Sequence, residues 1–177
     1  MTDLFNKFTI LIDNVDKKLG EYLFHHHFSV LEEFIYVFAF IFNPLPITCY
    51  LILILAIFGK VLFIKTLIIT LTGLLLTSYL KKAIGRPRPN CLGNRKYNFR
   101  KVEKNLSMPS GDSFQSGLWA TIIAIYFNNY YVYYVVPLVM FARCFYQCHF
   151  LSDTVVGALL GIFWSNFINY IFLLFNF

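Results

Sequence analysis

The run Val61–Leu80 constrains this chain most: twenty residues in which Lys65 is the one charge. A helix of that length rises about 30 Å, the thickness of a bilayer's hydrocarbon core. A soluble fold has little room for it. Hydrophobic residues make up 58% of the 177 and charged residues 14%, against about a quarter charged in soluble domains. Phe occurs 21 times and Tyr 12 times, yet a domain this small buries only about two-thirds of its surface. These proportions exclude an ordinary soluble globule, a disordered chain and a nucleic-acid binder.

Five further apolar runs follow the same logic: Phe28–Phe42, Ile47–Phe58, Gly111–Phe127, Tyr131–Cys148 and Thr154–Phe175. Turn signals separate them at Asn43-Pro44-Leu45-Pro46, Gly59-Lys60 and Asn128-Asn129. The expected fold class is all-α: an integral multi-pass membrane helical bundle of about six spans, the first two short. Leu4, Phe8, Leu11, Val15, Leu19 and Tyr22 recur at helical spacing, with Asp13, Lys17 and Lys18 between them. That pattern suits an amphipathic helix in the membrane interface, or equally one docked on protein. The chain therefore divides into an interfacial segment, 1–27, and a single helical domain, 28–177. Acidic and basic residues in the first twenty argue against a cleavable signal peptide. His25, His26 and His27 point in different directions on a helix and make a poor metal site. Cys49, Cys91, Cys144 and Cys148 form no CxxC pair and read as packing residues.

The net charge is +6, and ten of the 15 Lys and Arg residues lie between Lys81 and Arg143. If each span reverses direction, Lys81–Pro109, Arg143–Asp153 and the Asn43–Pro46 turn share one face. Both termini then lie on the other.

Three clusters on that shared face carry chemistry. The first, Lys81-Lys82-Ala83-Ile84-Gly85-Arg86-Pro87-Arg88-Pro89, follows directly on a span. Arg offers a planar fork that matches phosphate oxygens, and Lys offers a point charge. The same cluster also suits a basic patch against lipid headgroups. The second, Ser107-Met108-Pro109-Ser110-Gly111-Asp112-Ser113, opens a helix. Ser110 suits the N-cap and Gly111 admits a ligand to the backbone, at a helix end that favours anions. An ordinary cap, with Asp112 on the helix dipole, accounts for it too. In the third, Arg143 and Asp153 flank His149. Asp153, four residues on, can orient one ring nitrogen and leave the other as nucleophile or base. An interfacial ion pair is the plainer account.

Taken together, Lys81 with Arg88-Pro89, Pro109-Ser110-Gly111, and Arg143 with His149 and Asp153 resemble the type-2 phosphatidic acid phosphatase family. That family includes vanadium haloperoxidases and glucose-6-phosphatase. The likeness runs from about Val61 to Gly161, with the motifs in order and at matching spacing. It implies a helical bundle with its site at one membrane interface. Lys81, Arg88 and Arg143 would bind phosphoryl oxygens, and Ser110 and the Gly111 amide would complete the cradle. His149 would form a phosphohistidine, oriented by Asp153. The family's phosphatases use no metal or other cofactor.

Two positions depart from the pattern. Ala142 replaces a usual Ser. Asp112 replaces the family's His, which protonates the leaving group. An unperturbed Asp titrates near pH 3.9, so it holds no proton at neutral pH. Asp112 is thus an altered catalytic position, in a site whose nucleophile and phosphate ligands remain. The resemblance implies a membrane phosphatase acting on a lipid phosphate or diphosphate among membrane lipids. The alternative is a catalytically weak member serving as a structural or lipid-binding subunit beside other membrane proteins.

Overall fold

The structure, a computed structural model, describes residues 2–25, 31–89, 97, 99 and 105–176. His26, His27 and Cys91 lie outside them, as does the side chain of His25, and with them the reading of the histidine triplet. The described residues form helices and no strand. The helices are α1 (Thr2–His25), α2 (Glu32–Phe40), α3 (Pro44–Phe58), α4 (Lys60–Ile84), α5 (Gly111–Phe127), α6 (Val135–Phe145) and α7 (Leu151–Leu174). A 3-10 turn, Tyr130–Tyr134, precedes α6.

The chain is a multi-pass membrane protein, and two helices, α4 and α7, are each long and apolar enough to cross a bilayer. Their outward residues are apolar: Leu71, Leu75, Leu159, Phe163 and Leu173 are all exposed. The six expected spans are not confirmed. By length and composition, α2 with α3 supplies at most a third crossing, bent by 63°. Helix α2 has nine residues, about 14 Å at helical rise, too short to cross alone. Asn43-Pro44 interrupts it: Pro44 begins α3, where its missing N–H costs nothing.

Helix α1 corrects the expected topology. It packs at the end of the bundle that carries Arg86 and Ser152, through Asp13 and Asp16. It does not lie at the opposite face. Its apolar Ile10, Leu11, Val15 and Tyr22 are exposed while Asp16 is buried. An amphipathic helix whose acids bind protein turns its apolar side outward.

At the centre, α5 packs against α7 through glycines. A Cβ built on Gly157 would lie 2.5 Å from the Ser110 carbonyl oxygen. Ones on Gly117 and Gly161 would come closer still to the carbonyls of Ala158 and Phe114. Small residues let helix backbones approach where hydrocarbon solvent provides no hydrophobic drive. This contact sets Ser110 at the start of α5 beside Asp153 at the start of α7: the Ser110 amide donates to the Asp153 carbonyl at 3.0 Å. Gly161→Ala is expected to destabilise the fold by about 1–3 kcal/mol, the cost of overpacking against a backbone that cannot shift. Thermal unfolding in detergent measures it.

Candidate active site

The site is built from three breaks between helices. Helix α4 ends at Gly85, whose left-handed backbone (φ 69°) stops the helix and turns the chain. Pro87 and Pro89 then hold an extended segment. That segment carries Arg88 into the interior, where it is 7% exposed. Arg88 Nε donates to the Asn105 carbonyl at 2.8 Å, and Nη1 to the Cys148 carbonyl at 2.7 Å. Its Nη2 donates to the Asn105 side chain. Lys81, on the last turn of α4, donates to the Leu106 carbonyl at 2.8 Å.

Helix α5 starts where the sequence pattern put it. Ser110 is its N-cap and accepts from the Ser113 amide. A Cβ on Gly111 would meet nothing within 4 Å, so space lies open beside this residue, next to the first amides of the helix. Those amides have no carbonyl in a preceding turn and suit an anion.

Helix α6 ends at Phe145, and Gln147 takes a left-handed conformation (φ 56°) that folds the chain back. The amides of Cys148 and His149 then point at the Arg143 carbonyl, at 3.0 and 3.4 Å. Arg143 is fully buried. Its Nε lies 3.0 Å from Asp112 Oδ2, and its Nη1 donates to the Ala39 carbonyl at 3.3 Å. The altered position, Asp112, therefore neutralises one of the expected phosphate ligands.

His149 lies among these cations. Arg88 Nη1 is 3.1 Å from His149 Nε2. A guanidinium only donates, so Nε2 accepts and the ring proton sits on Nδ1. Nδ1 faces Asp153 Oδ2 at 3.8 Å, longer than the direct hydrogen bond expected from the His/Asp spacing. The Ser107 hydroxyl stands beside both, bonded to Asp153 Oδ2 and 3.4 Å from Nδ1. Burial first, and then the charges of Arg143, Arg88 and Lys81, push the His149 pKa down to about 3 against the pull of Asp153. The ring is neutral at pH 7, with a lone pair on Nε2.

This shift has a sign in stability. An unfolded histidine takes up a proton near pH 6.5; the folded ring holds off until about 3. Between those values the unfolded chain binds more protons, so stability falls as pH drops through that window and is unaffected above it. His149→Gln should lose less melting temperature than the wild type between pH 7 and 4.

The structure thus brings together Lys81, Arg88, Ser110, Gly111, Asp112, Arg143, His149 and Asp153. The sequence pattern placed Arg86 and Ser107 within two of the clusters without a specific role, and it did not single out Asn105 or Asp16 as site residues. Asn105 and Ser107 lie in a polar loop without periodicity. Asp16 carried one signal, an acid on the polar side of an amphipathic helix.

The sequence pattern of the PAP2 superfamily matches residues 50–176. Among solved structures, the fold resembles a transmembrane PAP2-type phosphatidylglycerolphosphate phosphatase from Bacillus subtilis, with a TM-score of 0.74 at 19% identity, covering 96% of this chain and 94% of that one. It also resembles LpxE from Aquifex aeolicus, with a TM-score of 0.70 at 23% identity, covering 86% and 93%. No curated protein matches the chain by sequence.

Proposed function

Because this chain belongs to the PAP2 superfamily, we propose that it is an integral-membrane phosphatase acting on a lipid phosphate or diphosphate. The observation that carries this reading is His149 Nε2, unprotonated and 3.1 Å from Arg88, with Arg143 and Lys81 close enough to lower its pKa.

In this reading the phosphoryl group enters through the open space beside Gly111. Arg88, Arg143, Lys81 and the N-terminus of α5 take up its oxygens. These groups are fixed before substrate arrives, so little reorganisation is needed as charge develops. His149 Nε2 attacks phosphorus in line, and the bond to the leaving oxygen breaks. The proton on Nδ1 stays, and Asp153 with Ser107 stabilises the phosphorylated ring. The lipid product departs at that step, its oxygen taking a proton from water, and a second water then cleaves the phosphohistidine, giving inorganic phosphate and free His149. No cofactor is called for.

A groove lined by Leu31, Phe34, Ile35, Phe38, Leu138 and Phe141 runs between α2 and α6. Its apolar lining suits a hydrocarbon chain. Residues 1–27 fit an interfacial segment added to one phosphatase-like domain, 28–177.

The test is phosphate release by purified protein in detergent against lipid monophosphates and diphosphates. Turnover of at least one class supports the reading. Binding of these lipids without turnover supports instead a structural or lipid-binding subunit, a role consistent with Asp112.

A further inference from the structure

Arg86 lies in sequence between the two expected phosphate ligands of its cluster, Lys81 and Arg88, but its guanidinium is taken up by other side chains. Its Nη1 donates to Asp153 Oδ1 at 2.7 Å and to Ser152 Oγ at 2.6 Å. Its Nη2 donates to Asp16 Oδ2 at 2.9 Å and to Asp13 Oδ1 at 3.1 Å. The guanidinium stacks over the Phe150 ring at 4.3 Å. Asp13 is half exposed, but the Asp16 side chain is 2% exposed and that of Asp153 is wholly buried. Asp16 does more than pair with Arg86. Its Oδ1 accepts from the Ser152 amide at 3.0 Å, in the first turn of α7, and its Oδ2 accepts from the Ser152 hydroxyl.

The consequence lies in how Asp153 is shared. Oδ1 is taken by Arg86, while Oδ2 accepts from the Phe150 amide at 3.0 Å and from Ser107, and faces His149 Nδ1. A carboxylate held on both oxygens has one orientation. Without Arg86, Oδ1 loses its charged donor and the group can rotate. We propose that Arg86 and Asp16 are positioning residues for the reaction: Asp16, on helix α1, fixes the guanidinium that fixes Asp153, and so links the amphipathic helix to the nucleophile. Neither residue touches the phosphoryl group. Lys cannot replace Arg86, because one ammonium does not offer two parallel pairs of donors to carboxylates on two sides.

The inference rests on the phosphatase reading, and the test separates the two. Arg86→Gln and Asp16→Asn are assayed beside Lys82→Gln, which removes an exposed cation of the same cluster. Expected are about 10–100-fold losses in kcat for the first two, by analogy with the range seen when partners that orient metal-binding side chains are removed. KM and inorganic phosphate affinity stay unchanged, and Lys82→Gln is silent. Arg86→Lys should recover little. If Arg86 acts through Asp153, Arg86→Gln combined with Asp153→Asn is no slower than Asp153→Asn alone. Losses that multiply, a raised KM with constant kcat, or wild-type kcat in both single variants would overturn the proposal. Should the wild type hydrolyse nothing, the phosphatase reading fails, and the clamp is judged by proton NMR of the His149 Nδ1–H, assigned by its loss in His149→Ala. A shifted or broadened signal in Arg86→Gln and Asp16→Asn supports it, and an unchanged signal refutes it.

Discussion

His149→Ala is expected to lower phosphate release by about 10⁴-fold or more, the scale on which removal of a covalent nucleophile falls. The fold should survive, since the loop that holds His149 is pinned by backbone bonds from Cys148 and His149 to Arg143. The large effect follows from the ring's environment. Most surface histidines titrate near pH 6.5 and spend part of their time protonated. His149 is buried among three cations and stays neutral, so every molecule carries an unprotonated Nε2 at pH 7, its lone pair directed at Arg88. Trapping of radiolabelled phosphate on the wild-type protein, and its absence in His149→Ala, checks the covalent step directly. Asp153→Asn keeps the shape but loses the charge that favours a phosphorylated ring, and should give an intermediate loss in a folded protein whose melting temperature is lowered, since the carboxylate is buried and paired with Arg86. Unchanged release in His149→Ala would remove His149 from the mechanism.

Asp112→His should raise activity on lipid monophosphates more than on lipid diphosphates. A monoester expels an alcohol, whose conjugate base is strongly basic and needs a proton as it departs. A diphosphate expels a phosphate, which leaves readily without one. Asp112 is paired with Arg143 at 3.0 Å, and a carboxylate so paired has no proton to give. General acid catalysis contributes about 10²–10⁴-fold, and the gain in kcat on monoesters should approach that range. The ion pair adds a second effect. Removing the carboxylate frees Arg143 for phosphate, which should lower KM for both substrates alike. The two effects separate by measuring kcat and KM for each class with both proteins at neutral pH. Equal gains in kcat on both classes would refute the leaving-group argument.

Much of this was legible in one dimension. Membrane residence follows from hydropathy, because a bilayer demands about twenty apolar residues per crossing wherever they pack. The candidate site residues were legible because their spacing ties each to a helix end: Lys81 to the last turn of α4, Ser110 to the cap of α5, His149 and Asp153 to the start of α7. What the spacing did not carry is the company each residue keeps. Glu32-Glu33 and Pro44 cut a short α2 out of an apolar run, and hydropathy does not distinguish a helix lying along the bundle from one crossing the membrane.

The amino-acid order by itself determined the class of fold and the candidate site residues, with His149 as the proposed nucleophile, since these depend on local periodicity and on side chains within one turn of a helix end. Only the tertiary structure decided that Asp112 is spent on Arg143, that Ser107 stands between His149 and Asp153, and that α1 reaches Asp153 through Asp16 and Arg86. These are contacts between residues distant along the chain. Hydrogen bonds and ion pairs act over about 3 Å, so they exist only once packing, here the glycine contact of α5 with α7, has brought the helix ends together.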